Sequence, residues 1–417
     1  MGKIFLSHPT GNRNVRAVMT ALAKNNRLAA FYTTIALNAS GVFASLLPDN
    51  LRKHLLRRSY PISFSLIRTQ PILELARNIL PKFGIESAIK HETGFASVDS
   101  VYRDLDSASA AFIKRKFKSF EISAVYGYED GCLQTFKVAT KLGLLCIYDL
   151  PIGYWRTARQ LLHAEQEKWP EWASTLTSFK DSPEKLARKD QELELSDRIF
   201  VASTFTANTL KDFPGKELKQ IKVIPYGFPP VVNNRIYDEE QDRPLRLLFV
   251  GGLSQRKGIA DLFSAVKEIG SLVELTIVGR KTSESCSALD EALKLHRWIP
   301  TLAHEDVLRL MQEHDVLVFP SLFEGFGLVI TEAMSQGTPV ITTERTAGPD
   351  LITHGEDGWI IEAGSTKALK EQIEFLIKDR QTIMKAGKAA MEKAKSRPWD
   401  VYGAELTKAI FSEMNNG

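Results

Sequence analysis

Short apolar runs alternate with helical patterns along the first 228 residues. Ile4–Ser7, Ala29–Thr34, Ala124–Tyr128, Leu144–Leu150, Ile199–Ser203 and Ile221–Tyr226 are of strand length, and Asn12–Ala23, Leu133–Leu142 and Thr204–Lys211 carry helical spacing. Strands that alternate with helices predict a parallel sheet covered on both faces. The alternation stops at Gly227–Arg243 (GFPPVVNNRIYDEEQDR), which is aperiodic and rich in Pro, Asn and charge, as at a domain boundary. It restarts with strands at Arg246–Val250, Val273–Val278, Val316–Phe319, Pro339–Thr342 and Trp359–Glu362. Helical patterns at Gly258–Ile269, Glu284–Leu295, Glu305–Gln312, Leu328–Gln336, Thr366–Lys378 and Gln381–Lys395 separate or follow them.

The expectation is an α/β chain of two doubly wound, Rossmann-like units, 1–228 and 244–396, joined by a linker at 229–243. Residues 397–417 predict a further amphipathic helix returning to the first unit. Ligands of open α/β sheets bind beyond the carboxyl ends of the strands, so the natural site is the cleft between the units.

Residues 41–120 break the rhythm and predict a mostly helical insertion punctuated by Pro48, Pro61, Pro71 and Pro81. From Leu51 to Lys82 seven basic residues (Arg52, Lys53, Arg57, Arg58, Arg68, Arg77, Lys82) stand against one acid, Glu74. Lys114, Arg115, Lys116 and Lys118 follow, and Leu46, Leu47, Leu51, Leu55 and Leu56 fall near helical spacing. Two readings stand: a helix pair with its cations in water, or contact with anionic lipid or an acidic acceptor.

Composition narrows the class. Apolar residues at 44% and charged residues at 25% exclude a disordered chain, and no near-continuous apolar run approaches the ~20 residues needed to span a bilayer. Three cysteines (Cys132, Cys146, Cys286), widely spaced, suit a reducing compartment and form no metal-binding CxxC pair. MGKIFLSHPTGN does not read as a signal peptide, so the expected location is cytoplasmic, with peripheral contact at the inner membrane face left open. A net charge of +4 does not call for nucleic acid, and none is expected as a partner.

Two constellations carry chemistry. In Val250-Gly251-Gly252-Leu253-Ser254-Gln255-Arg256-Lys257-Gly258 a strand ends in paired glycines and a helix opens after two cations, a pattern that suits a diphosphate. The plain alternative is a strand–turn–helix with exposed basic residues. Neither GxxxxGK[ST] nor GxGxxG occurs, which removes the P-loop and the main dehydrogenase signature. In Pro320-Ser321-Leu322-Phe323-Glu324-Gly325-Phe326-Gly327-Leu328, Glu324 lies at the end of a buried strand, and Glu332 follows one turn into the next helix. Two carboxylates flanking a glycine-rich helix start fit a nucleotide sugar: N–H groups for the diphosphate, and one carboxylate for each carbohydrate ring.

The Glu324…Glu332 spacing, with Phe-Gly-Leu between and Glu-Ala-Met-Ser-Gln-Gly-Thr-Pro-Val-Ile after, resembles retaining GT-B glycosyltransferases of family 4. Gly-Gly-Leu…Arg-Lys-Gly is similar to that family's diphosphate loop. Asp197-Arg198-Ile199, Val201-Ala202-Ser203 and Ile224-Pro225-Tyr226-Gly227 look like the end of its acceptor domain. The resemblance covers about 197–403 well and 1–195 weakly.

It implies a GT-B fold in which Lys257 and Arg256 hold the donor phosphates, Glu324 contacts the transferred sugar and Glu332 the ribose. The N–H groups around Phe326, Gly327 and Leu328 would meet the diphosphate. Gly251 and Gly252 would let it approach, and Gly279, Arg280 and Trp298 would lie beside the base. Gly11 and Asn12 belong to the facing loop of the first unit, His8-Pro9-Thr10-Gly11-Asn12, where the family usually has Gly-Gly. Gly252 stands where the family often has Arg. Where it often has an acceptor-side His, this chain reads Asp149-Leu150-Pro151-Ile152-Gly153-Tyr154-Trp155-Arg156. Acceptor-side candidates are therefore Glu129-Asp130 and Asp149, ahead of His8, Asn12, Asn14, Tyr154, Arg156, His163 and Glu165.

The implied reaction moves a hexosyl group, with retention, from a nucleoside diphosphate sugar to a hydroxyl of a glycan or lipid-linked acceptor, as in polysaccharide or glycolipid synthesis. No cofactor and no metal are expected, because neither a DxD at a strand end nor a His pair occurs. A GT-B epimerase, and a nucleotide-sugar-binding or membrane-docking protein without turnover, are the alternatives.

Overall fold

The structure is a computed structural model that describes residues 2–37, 57–177, 179–237, 242–283 and 285–412. Leu46–Leu56, with Arg52 and Lys53, lie outside the described residues.

The first unit runs β1 (Lys3–Ser7), α1 (Arg13–Lys24), β2 (Leu28–Thr33), β3 (Ile67–Thr69), α2 (Ile72–Ile79), α3 (Val98–Lys116) and β4 (Ile122–Tyr128). It continues with α4 (Leu133–Lys141), β5 (Leu145–Leu150), α5 (Trp155–Lys168), α6 (Pro183–Leu195), β6 (Arg198–Val201), α7 (Thr204–Thr209) and β7 (Ile221–Val223). The seven strands are parallel in the order β3-β2-β1-β4-β5-β6-β7. Phe5 sits opposite Ala30 and Val125, so the inner strands are flanked by partners on both edges. One face buries Phe5, Val125 and Tyr148 under Ile113 of α3, Phe136 of α4 and Leu193 of α6; the other buries Ile4, Leu6 and Ile147 under Val15, Val18 and Leu22 of α1.

The second unit runs β8 (Leu245–Val250), α8 (Ile259–Ile269), β9 (Val273–Val278), α9 (Ser287–Lys294), β10 (Arg297–Ile299), α10 (His304–Glu313), β11 (Val316–Phe319), α11 (Leu328–Ser335) and β12 (Val340–Thr343). Then come α12 (Gly348–Leu351), β13 (Trp359–Ile361), α13 (Thr366–Lys378), α14 (Arg380–Ser396) and α15 (Trp399–Ser412). Its six parallel strands follow the order β10-β9-β8-β11-β12-β13. Both sheets are fed by strand–helix–strand crossovers, and each order reverses beside its first strand, β1 or β8. That is the switch point where ligands of such sheets bind.

The stretch 41–120, expected as a helical insertion, is partly framework. Ile67–Thr69 is the edge strand of the first sheet and Val98–Lys116 a sheet-covering helix. A three-residue strand is too short to show a period, and α3 buries Asp99, Asp106 and Ser109 among its apolar residues, which breaks its stripe.

Two features tie the units together. After α14 the chain crosses back, and α15 lies on α1. Arg198 there donates to the Ile410 carbonyl at 2.5 Å, and Tyr402, Leu406 and Ile410 join the core of the first unit. The two crossings run side by side, the Phe228 amide donating to the Arg397 carbonyl at 2.8 Å. The second feature is a strap. The residues after α5, Pro170–Thr175, leave the first unit and place Trp172 in the core of the second, stacked on Phe263 at 5.7 Å. Truncating a buried Trp costs about 3–5 kcal/mol. Trp172→Ala is therefore expected to lower the denaturant midpoint of the second unit, read by its own probe, more than that of the first.

Candidate functional site

The site is built on the loop from β11 to α11. Phe319 ends a fully buried strand, and Leu322, Phe323 and Phe326 are buried, so this loop is fixed by packing rather than left in solvent. Gly327 closes it at φ +86°, a left-handed conformation that a side chain resists, and sets the direction of α11. No side chain caps α11. The start of α4 differs: buried Glu192 accepts from the amides of Asp130, Cys132 and Leu133 at 2.7–3.1 Å, and Asp106 from those of Gln134 and Thr135 at 2.7 and 2.8 Å. The partial positive charge of a helix start is thus neutralised from within at α4 and left for another anion at α11.

Beside that start the two constellations of the second unit meet. Lys257 Nζ contacts Glu324 Oε2, and Arg256 reaches the same oxygen at 3.3 Å while donating to the Phe323 carbonyl at 2.7 Å. Lys257 also lies 4.7 Å from the centre of the Phe319 ring. Two cations converge on one carboxylate, which leaves one positive charge uncompensated in a largely buried setting. Burial and the adjoining guanidinium act to lower the Lys257 pKa, and the Glu324 carboxylate in contact opposes them. Gly251 and Gly252 end β8 next to this pair; a Cβ at Gly252 would meet nothing nearer than Thr282 Cγ2 at 3.6 Å, so the approach is open.

Glu332 lies further along α11 and faces the first unit. His304 Nδ1 is 3.7 Å from its carboxylate, and Arg13, at the start of α1, is the charge that acts on it from across the gap. Burial raises the carboxyl to about 7. His304 is held below its ordinary value by burial and by Arg13, so it stands as a neutral hydrogen-bonding ring at neutral pH. Sequence reasoning missed Arg13 and His304. Arg13 had a signal: α1 has no acid in its first turn but carries Arg13 and Arg16 there, against the helix dipole.

The first unit grips both loops. Ser203 and Thr206 of α7 donate to the Gly325 carbonyl at 2.6 and 3.0 Å, and a Cβ at Gly325 would strike the Pro151 carbonyl oxygen. From the strap, the Thr175 carbonyl accepts from Ser254 at 2.8 Å, and its hydroxyl accepts from the Gln255 amide at 2.9 Å. Glu165 accepts from Gln255 Nε2 at 3.0 Å. These residues position Arg256 and Lys257 without touching the gap.

The remaining sequence candidates separate clearly. Glu129 lines a pocket of about 180 Å3 with Trp155, Arg159, Asp181, Lys189 and Arg256, so it shares a space with one member of the cation pair. Burial raises its carboxyl and Lys189, 3.7 Å away, pulls it back. Asp130 is tied to Arg188 and Lys185 instead. Asp149 departs from the expectation. It points to the α1 face, accepts from Tyr126 at 2.7 Å, and lies buried in a cluster that includes Tyr128, Tyr226 and Tyr402, with its carboxyl raised to about 7 by burial. Period-two alternation sends it to the face opposite Tyr148 and Leu150, and that face is core. Gly11 and Asn12 form the turn into α1, where the His8 ring accepts from the Thr10 and Gly11 amides at 3.0 and 2.9 Å; Asn12 is exposed at the gap side beside Arg13. Gly279, Arg280 and Trp298 lie together: Trp298 donates to the Gly279 carbonyl at 2.9 Å, and Arg280 to Thr301 at 2.9 Å. A larger concavity, about 680 Å3, opens at the opposite, amino-terminal end of the second sheet around Arg246, Glu274 and His296, away from all of these groups. Among the described residues, His91, Glu92 and Asp181 are close enough together to share a cation, and Asp181 of the three also lines the Glu129 pocket.

With this geometry in hand, comparison with known proteins is decisive for the second unit. Residues 234–393 match the family described as glycosyl transferases group 1. Over these residues the second unit is similar to that family. An amylovoran biosynthesis glycosyltransferase of Erwinia amylovora is 30% identical over 37% of this chain and 41% of its own. A capsular polysaccharide biosynthesis glycosyltransferase of Staphylococcus aureus is 36% identical over 34% and 40%. The matches thus span about two-fifths of those relatives' own length. Over the whole fold, a sucrose-phosphate synthase from Thermosynechococcus elongatus superposes with TM-score 0.67 at 17% identity, covering 100% of both chains. Anabaena HepE in complex with UDP-glucose gives 0.60 at 16%, covering 99% of this chain and 100% of that one. The fold is GT-B: two Rossmann-like units facing across a gap.

The raised Glu332 of the group 1 unit makes a pH prediction. The folded chain keeps a proton on Glu332 up to about pH 7, where the unfolded chain has released it from about 4.5 upward. Its contribution to stability is therefore full below pH 4.5 and declines as pH rises to 7. A ligand that needs the ionised carboxylate should bind more tightly as pH rises through that range and level off above it. Calorimetric titration of a nucleotide ligand from pH 5.5 to 8 is expected to show this trend, and Glu332→Gln to flatten it.

Proposed function

We propose that the chain is a retaining glycosyltransferase that moves a hexosyl group from a nucleoside diphosphate sugar to a hydroxyl of a glycan or lipid-linked acceptor, in polysaccharide-type synthesis. The observation that carries the reading is the pair Arg256 and Lys257, converging on Glu324 beside the uncapped start of α11. In the reaction the anomeric C–O bond to the diphosphate breaks, a new C–O bond forms to the acceptor oxygen, and the acceptor proton leaves with the diphosphate. Negative charge grows on the departing diphosphate, and the site offers a fixed positive field to meet it. The diphosphate takes over the surplus cation, and Glu324 is left to accept from hydroxyls of the transferred sugar. Glu332, when ionised, accepts from the ribose diol.

Solved GT-B neighbours hold UDP and UDP-glucose, and relatives of the group 1 unit are described as acting in amylovoran and capsular polysaccharide biosynthesis. Both support a nucleotide-sugar donor and a glycan product. Glu129, in the 180 Å3 pocket that Arg256 also lines, is the first-unit carboxylate best placed to orient an acceptor hydroxyl.

A thermal-shift screen of UDP-, GDP-, ADP- and TDP-sugars tests the donor: a ligand at 100 times its Kd adds about 2.7 kcal/mol. Lys257→Ala should lower kcat by about 100–1000-fold in an assay of nucleoside diphosphate release, on the scale of losing one transition-state contact. A chain that binds donor and never releases nucleoside diphosphate, with any acceptor pool offered, would be a binding protein.

A further inference from the structure

Exposed apolar side chains are concentrated in one part of the surface. Of the sixteen large hydrophobic residues exposed among the described residues, nine fall between Phe64 and Val98. Four of them, Ile72 (69% exposed), Leu75 (44%), Ile79 (46%) and Phe83 (76%), repeat at intervals of three, four and four along α2 and the turn after it. That is one continuous helical stripe. The opposite side of α2 holds it to the unit: Glu74 is buried and paired with Arg58 at 2.6 Å and Arg77 at 3.6 Å.

We propose that this stripe docks the chain on the surface of an anionic phospholipid bilayer. Lys82, next to Phe83, and Lys90 are exposed in the same segment, and between residues 72 and 90 the exposed acid is Glu86 alone, since Glu74 is buried. Cations around an apolar stripe match an anionic headgroup layer with acyl chains beneath it. A second copy of the chain is a poorer occupant, because it would bring the same cations against one another. Ile72–Phe83 is far short of the ~20 residues that cross a bilayer, so the stripe lies in the plane of the interface.

The place of the stripe gives it a use. α2 packs on α3, and Tyr102 of α3 lies against Gly131 in the turn that carries Glu129 and Asp130. Docking would therefore bring the Glu129 pocket close to the bilayer, where it would receive an acceptor anchored in lipid. This last step rests on the transferase reading; the docking does not.

The test is flotation of the full chain with vesicles of phosphatidylcholine alone and of phosphatidylcholine mixed with phosphatidylglycerol. The chain is expected to float with the mixed vesicles, to float less with the neutral ones, and to be released by salt. Ile72→Asp combined with Ile79→Asp and Phe83→Asp should reduce flotation on the order of tenfold or more, with the thermal midpoint and the donor-induced shift unchanged. Absence of flotation by the unsubstituted chain overturns the proposal. So does flotation by the triple variant equal to the parent, or a concentration-dependent dimer that the same substitutions dissociate. Nucleoside diphosphate release, measured separately without vesicles, shows whether the transferase reading stands or falls on its own.

Discussion

One electrostatic imbalance organises the molecule: two cations, Arg256 and Lys257, on a single carboxylate, Glu324, next to a helix start that no side chain among the described residues caps. In water such an arrangement would carry little weight. Here Phe319, Phe323 and Phe326 exclude solvent around it, and the effective attraction for an incoming dianion rises accordingly. The first unit shows the contrast. It also has helix starts at strand ends, but that of α4 is already filled by Glu192 and Asp106. Charge placement, more than shape, decides which of two similar sheets is fitted to bind an anion.

That imbalance is held by contacts that reach across the units. The cation loop depends on Thr175 and Glu165, and the Gly325 carbonyl on Ser203 and Thr206, all residues from the first unit. The two sides of the gap are therefore mechanically connected: a shift of the strap or of α7 would displace Arg256, Lys257 and Glu324.

The alternation of strands and helices was legible because parallel strands buried on both faces read as unbroken apolar runs. The paired glycines, the cations and the Glu324–Glu332 interval were legible because phosphate chemistry restricts residue types at fixed spacing. What stayed hidden depends on contacts remote in sequence. Asp149 reads as an acid at a strand end, and only its partner Tyr126, on the neighbouring strand, shows it to be core. Arg13 and His304 are 291 positions apart and meet only because Glu332 lies between them. The strap was hidden because nothing local distinguishes Trp172 as belonging to the other unit's core. The edge strand Ile67–Thr69 is too short to announce itself.

The return of α15 to α1 has a consequence for biogenesis. A ribosome releases the first unit early, yet the helix that packs over α1, α15, is made only after the whole second unit, and its crossing is bonded to the earlier one through Phe228 and Arg397. Nascent residues 13–24 then present Ala17 and Ala21 without Gly403 and the rest of α15 until the second unit has been made. Maturation of this chain cannot proceed strictly one half after the other, and losing Trp399–Ser412 would damage the half encoded first.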